Sequence, residues 1–278
     1  MLVPLQTSGN KPPLFFVHGV RGFTFEVGPR FARMLGSDQP VYAINANGVD
    51  DRTRVVENVD EMVAAYLQEI RAERPAGPIR IGGMCSGCMV AVEIARGLHE
   101  EGRQTGPAIL VDPPVLTANY EKLTKTFDLG PDVRDRFVRE VYGWLLGKKL
   151  HPADGEQDLP FDPRDPKYLQ SAVAVATATT VAFAKYVPRP FSGAVEVIVA
   201  ENRAPGFLHP QMPWHTLLCG PRVVHVVPWS HMELFQPGAG RKTVARLMRF
   251  MLEEDSAWEG QSTVWTRVAA QPIAEARQ

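Results

Sequence analysis

The chain has little of what would place it outside the ordinary globular proteins. Only three of its 278 residues are cysteine (Cys85, Cys88 and Cys219). That is too few for a disulfide framework and fits a reducing, cytoplasmic setting. No apolar run approaches the roughly 18 residues that span a bilayer. The opening Met1-Leu2-Val3-Pro4-Leu5 lacks the basic flank of a secretion signal. Charge of either sign is not in excess: 30 Lys and Arg stand against 31 Asp and Glu, a net charge of −1. Neither nucleic acid nor an anionic membrane is therefore an expected partner. The histidines and cysteines do not stand at metal-ligand spacing, so no metal is expected. Internal repeats and low-complexity tracts are absent. What remains is 45% hydrophobic and 22% charged, sufficient for one large α/β domain with an insertion.

Short apolar runs alternate with helical patterns through the first 114 residues. Leu14 to Val17, Val41 to Ile44, Ile79 to Gly82 and Ala108 to Val111 read as buried strands. Phe23 to Leu35 has helical spacing. From Arg54 to Glu73, apolar Val55, Val59, Met62, Val63, Tyr66, Leu67 and Ile70 recur close to a 3.6-residue period, predicting a long amphipathic helix. Ser86 to Glu101 predicts another, stopped by Gly102. Strands separated by helices imply a mostly parallel sheet covered on both faces. After Pro114 no clear strand appears until about residue 190. Helical patterns at Arg134–Leu146 and Tyr168–Tyr186 flank a Pro/Asp-rich stretch, as expected of a lid. Strand patterns resume at Ala194–Ala200 and Arg222–Val227, and a last helix covers Arg241–Leu252. The expected organisation is a core of 1–114 and 191–253, a helical lid at 115–190, and a polar tail at 254–278, disordered in part.

The most informative segment is Gly83-Met84-Cys85-Ser86-Gly87, which ends a strand pattern and opens a helix. Strand, sharp glycine turn, nucleophile and helix together resemble the nucleophile elbow of α/β-hydrolases, with cysteine in place of serine. Gly83 and Gly87 would remove β-carbons that clash where strand and helix cross. Cys85 would lie at a helix N-terminus, whose partial positive charge favours thiolate over thiol. The bland alternative is a buried cysteine in a glycine-rich turn.

A thiol nucleophile needs a base, and the base an orienting acid. His231 follows the last predicted core strand, at the end of the sheet where active sites of open α/β folds form. His225 lies inside that strand and reads as core, and His99 sits near a helix end. His151, His209 and His215 fall in lid or loop segments. For the acid, Asp112 and Glu201 each end a core strand, and position alone does not separate them. The oxyanion hole requires two backbone N–H groups. Ser86, following the nucleophile, is one candidate. Val20, in the loop His18-Gly19-Val20-Arg21-Gly22 after the first core strand, is the other. His18 reads as a brace for that loop.

Several segments in this order resemble thioesterase domains of nonribosomal peptide and polyketide synthases. They are Phe15-Phe16-Val17-His18-Gly19, Pro40-Val41-Tyr42-Ala43-Ile44, the helix from Val90 to Leu98, Ile109-Leu110-Val111-Asp112-Pro113-Pro114, and Ser230-His231. The resemblance covers roughly residues 12–253. It implies an α/β-hydrolase fold with a helical lid, and acyl or peptidyl thioesters delivered by a carrier protein on its phosphopantetheine arm. No cofactor of the chain's own is implied. It also favours Asp112 over Glu201, because the acid of synthase-terminal members usually follows the strand after the elbow helix. The sequence departs from most members at Cys85, where serine is usual. Transfer from a carrier thioester to cysteine makes a second thioester, which keeps the acyl group activated for a difficult second step.

Rival readings have sequence features of their own. Dienelactone-hydrolase-type enzymes also carry G-x-C-x-G, but they lack a large lid. Polyester synthases carry it in longer chains. Cys85-Ser86-Gly87-Cys88 is a C-x-x-C, open to dithiol redox chemistry, and an α/β-hydrolase fold can also serve as a binding module without catalysis. Within the lid, the Ala/Val/Thr-rich stretch Ser171–Tyr186 and Trp144-Leu145-Leu146 suit either plain helix packing or an apolar acyl pocket.

Overall fold

The computed structural model describes residues 2–20, 22, 24, 28–49, 53–114, 166–203, 213–236, 238–253 and 263–267. Its frame is one eight-stranded sheet. The strands are β1 (Leu2–Gln6), β2 (Leu14–Val17), β3 (Val41–Ile44), β4 (Arg80–Met84), β5 (Ala108–Val111), β6 (Val195–Ala200), β7 (Arg222–Val227) and β8 (Thr263–Arg267). Their spatial order is β1-β3-β2-β4-β5-β6-β7-β8. Only the edge strand β1 runs antiparallel, against β3, and the other neighbours pair in parallel.

Alternation along the central strands feeds two cores. On β2, Phe15 and Val17 join one apolar cluster while Leu14 and Phe16 join the other. On β5, Ala108 and Leu110 take the first face, Ile109 and Val111 the second. Each strand is therefore apolar throughout, because helices cover both faces. Helices α2 (Val59–Glu73) and α3 (Gly87–Glu100) supply the first cover, through Met62, Tyr66, Leu67 and Ile70 of α2 and Val90, Ala91, Ile94 and Leu98 of α3. Helices α1 (Pro29–Met34) and α7 (Ala239–Glu253) supply the second, through Phe31, Val244, Met248 and Met251. Among the described residues no helix is long and apolar enough to cross a membrane.

Several boundaries differ from the sequence expectation for local reasons. Helix α2 begins at Val59 rather than Arg54, because the Asn58 side chain accepts the Glu61 N–H and caps it there. Helix α1 spans Pro29–Met34, opening on Pro29 after an extended Gly28; of the expected Phe23–Leu35, residues 23 and 25–27 lie outside the described residues. Within the tail, residues 263–267 form a strand that the sequence reading did not anticipate. Val264 and Trp265 lie in a β-branched and aromatic run that adds β8 to the free edge of β7; the remaining tail residues, 254–262 and 268–278, lie outside the described residues. Two short helices went unpredicted, α5 (Pro213–Leu217) and α6 (His231–Phe235). Of the expected lid, residues 115–165, including the helical pattern at 134–146, lie outside the described residues. Residues 166–185 form α4 (Pro166–Lys185), and 186–190 follow without regular structure.

Helix α4 lies over the loop after β2. A β-carbon on Gly22 would come 2.2 Å from Val175 of α4 and 3.0 Å from Ala46, and Gly22 has φ +78°. Only glycine meets both conditions at that point.

Candidate active site

The end of β4 turns into α3 through Cys85, and the crowding there explains both motif glycines. A β-carbon on Gly87 would lie 2.0 Å from the His18 carbonyl oxygen, and one on Gly83 would lie 2.5 Å from the Gly87 oxygen. Cys85 itself is held at φ +50°, a costly conformation for a residue with a side chain. Its N–H donates to Val111 O at 2.9 Å, tying the turn to the end of the neighbouring strand. Asp112, the next residue after that strand, is also at φ +50°. Among the described residues, Cys85 and Asp112 are the only non-glycine residues with positive φ. Backbone strain is thus concentrated at the two adjacent strand ends.

Asp112 has no exposed surface. Its Oδ1 accepts the Ala200 N–H at 2.9 Å, which orients the carboxylate from β6. Its Oδ2 hydrogen-bonds His231 Nδ1 and lies 3.3 Å from Arg203 Nη1. His231 opens α6, directly after β7. Glu233, within the same turn, accepts from both the N–H and the hydroxyl of Ser230, fixing the helix start. The imidazole meets Phe235 edge-on at 5.0 Å, and its side chain is 22% exposed, open on one side. Glu201, the rival acid, is exposed, with its N–H on Val227 O.

Electrostatics join His231 to Cys85. Burial opposes a charged imidazole, but hydrogen bonds to Asp112 and to Cys85 raise the His231 pKa to about 9. Burial likewise opposes a thiolate at Cys85. A hydrogen bond from His231, the charges of His231 and Arg203, and the Ser86 N–H together bring the thiol below its ordinary value. Each partner is shifted toward its charged form, the direction expected of a thiolate–imidazolium pair. Cys85 as a residue is half-buried.

Val20 is half-buried in the turn closed by Gly22 N–H on Gly19 O at 3.0 Å. Gly19 stands beside the nucleophile position, where a β-carbon would lie 3.6 Å from Cys85 Cβ. The Ser86 hydroxyl is buried without a hydrogen-bond partner. The Cys88 Sγ donates to Gly83 O at 3.3 Å, and burial, with the charges of Cys85 and Asp112, pushes its thiol well above the ordinary value. That suits packing rather than dithiol exchange. His225 faces Glu196 across β6 and β7 at 3.7 Å, and His99 contacts Thr105. His151 and His209 lie outside the described residues, and His215 is in α5. Arg203 went unsingled in the sequence, where its signal was only a charged loop, Glu201-Asn202-Arg203, at a strand end.

The thioesterase domain family matches residues 12–249 of the chain. Malpibaldin synthetase of Mortierella alpina is 27% identical over 90% of this chain and 4% of its own length. A dimodular nonribosomal peptide synthase of Bacillus subtilis (strain 168) is 33% identical over 40% of this chain and 5% of its own. The chain therefore spans about a twentieth or less of these relatives. Among solved structures, a Vlm2 thioesterase domain bound with a dodecadepsipeptide superimposes with a TM-score of 0.70 at 20% identity, covering 89% of this chain and 97% of that one. The overall fold agrees with that domain, and with the family matched across most of its length the chain belongs to the thioesterase domains.

Proposed function

We propose that the chain releases acyl or peptidyl groups from a carrier protein through an acyl-enzyme on Cys85. The phosphopantetheine arm of the partner presents the thioester, and the chain needs no cofactor or metal of its own. The Cys85 thiolate attacks the thioester carbonyl. The N–H groups of Val20 and Ser86 stabilise the oxyanion. The His231 imidazolium protonates the departing pantetheine thiol, leaving Cys85 acylated and His231 neutral. Neutral His231 then takes a proton from the second nucleophile, which is water, or a hydroxyl or amine of the acyl chain or of an acceptor. Cys85 leaves as thiolate while Asp112 supports the imidazolium. The product is correspondingly a free acid, a ring or a transfer product of natural-product biosynthesis, made in the cytoplasm. The carrying observation is the buried Asp112 joined to His231, with His231 and Cys85 each shifted toward its charged form.

Intact-protein mass after mixing with a panel of acyl-pantetheine thioesters tests this reading. The expected result is a single acyl adduct that maps to the peptide containing Cys85 and decays to product. Absence of adduct and turnover across the panel, carrier-bound substrates included, would shift weight to a lactone hydrolase or a binding module.

The pH dependence carries a sign. Acylation is lost as pH falls through the lowered pKa of Cys85, because the sulfur gains a proton. It is lost again as pH rises through about 9, because His231 gives up the proton owed to the leaving thiol. A bell-shaped kcat/KM profile with its alkaline limb near 9 is expected. A single rise toward the ordinary thiol range with no alkaline limb would contradict the ion pair.

A further inference from the structure

Behind the loop that carries Val20, a chain of hydrogen bonds runs in one direction. Gly19 O only accepts, so His18 Nδ1, 2.6 Å away, carries the ring proton. Burial lowers the His18 pKa to about 4 despite the hydrogen bond to Gly19. The ring is therefore neutral at physiological pH and Nε2 is an acceptor. Tyr66 Oη, 2.8 Å from Nε2, must donate to it. The phenol oxygen accepts in turn from the Asn47 backbone N–H. Every donor points the same way, from Asn47 through Tyr66 and His18 to the Gly19 carbonyl. Neither His18 nor Tyr66 has exposed surface, and their rings meet edge-on with centroids 5.9 Å apart.

The consequence lies in one peptide plane. The described peptide bonds include no cis bond, so the Gly19 C=O and the Val20 N–H point in opposite directions. Turning the carbonyl toward His18 turns the Val20 N–H away from it. The second donor to the same carbonyl, Gly22 N–H, comes from within the turn and fixes its shape. The His18 bond fixes its orientation against α2. Without an anchor of this kind a glycine peptide flips readily, since Gly19 has no side chain to hinder rotation.

We propose that Tyr66 is a positioning residue for acyl transfer. Through His18 its hydroxyl holds the Gly19–Val20 peptide so that the Val20 N–H is presented to the developing oxyanion. The proposal rests on the reading of Cys85 as the acyl acceptor. Packing alone would be served as well by phenylalanine, whereas the buried hydroxyl is satisfied here on both its donor and acceptor sides.

The test compares two reactions of the same sulfur. Alkylation of Cys85 by iodoacetamide needs the thiolate but no oxyanion hole, whereas acylation by an acyl-pantetheine thioester needs both. Tyr66→Phe should keep the wild-type alkylation rate and lose acylation by roughly 10- to 100-fold, up to the effect of deleting one oxyanion donor. Binding of an acyl aldehyde, whose adduct with Cys85 places an oxygen in the hole, should weaken by a similar factor. A second pair of variants covers a Tyr66→Phe protein that does not fold. In His18→Asn the amide nitrogen can stand where Nδ1 did and still donate to Gly19 O; His18→Gln loses that donor. His18→Asn should acylate faster than His18→Gln. Equal acylation in wild type and Tyr66→Phe, a parallel fall in alkylation and acylation, or equal rates for the two His18 variants would overturn the relay alone. If wild type is alkylated but never acylated, the Cys85 reading falls and takes the relay with it.

Discussion

Replacing Cys85 with alanine is expected to abolish the acyl adduct and to lower thioester turnover by about 10³-fold or more, the scale of losing a triad nucleophile. The fold should survive. Alanine keeps a β-carbon at φ +50° and so neither adds nor relieves backbone strain at the turn. It also removes a half-buried thiolate, so the thermal midpoint should stay level or rise. Loss of activity in a protein that melts normally is then chemical. Turnover within about tenfold of wild type would assign the chemistry to another group. Serine at the same position makes a sharper comparison. An alcohol is a far weaker acid than a thiol, so the resting ion pair with His231 is lost. The acyl group would pass from thioester to ester and lose activation. Cys85→Ser should therefore still load, more slowly, and stall in the product-forming step. Product formation at or above the wild-type rate would sink the case that cysteine serves a demanding second nucleophile.

Asp112→Asn should cost nearly as much, about 10³- to 10⁴-fold in turnover, by analogy with triads whose acid becomes an amide. Two features make the substitution clean. Asparagine tolerates positive φ better than most residues, so the φ of +50° remains accessible. The amide oxygen can still accept the Ala200 N–H that Asp112 now accepts at 2.9 Å. What disappears is the negative charge beside His231 Nδ1 and Arg203. The remaining amide NH2 would face an imidazole N–H, donor against donor. The ring must then turn or change tautomer, and it no longer supports a thiolate at Cys85. Alkylation of Cys85 followed against pH should show the thiol moving up toward its ordinary value, and the kcat/KM profile for acylation should lose its alkaline limb near 9. If activity instead survived Asp112→Asn and fell in Glu201→Gln, the exposed carboxylate would be the working acid.

Much of this architecture was legible in linear form because it rests on local patterns. The all-apolar strands at 14–17, 41–44 and 108–111 announce a parallel sheet covered on both faces, and the structure has that sheet. Boundaries were less legible where a single side chain decides them, as with Asn58 capping α2. The strand at 263–267 was missed because five residues gain their ladder only from β7, some forty residues earlier.

By itself the sequence determined the order of β2 to β7 and of the longer described helices, the glycine-flanked cysteine at a strand–helix turn, and a histidine after β7. Each follows from periodicity or from the conformations particular residues allow. Strand position did not decide between Asp112 and Glu201, since both end a core strand, and only the family resemblance favoured Asp112. The tertiary structure alone places a buried Asp112 on His231, leaves Glu201 exposed, and adds Arg203 beside the carboxylate. Tertiary structure also sets which thiol is activated, because Cys85 and Cys88, three residues apart, face opposite environments. One meets His231 and the Ser86 N–H; the other is fully buried against the Gly83 and Val111 carbonyls. Ionisation depends on the charges and dipoles that packing gathers around a group, and residues far apart along the chain supply them.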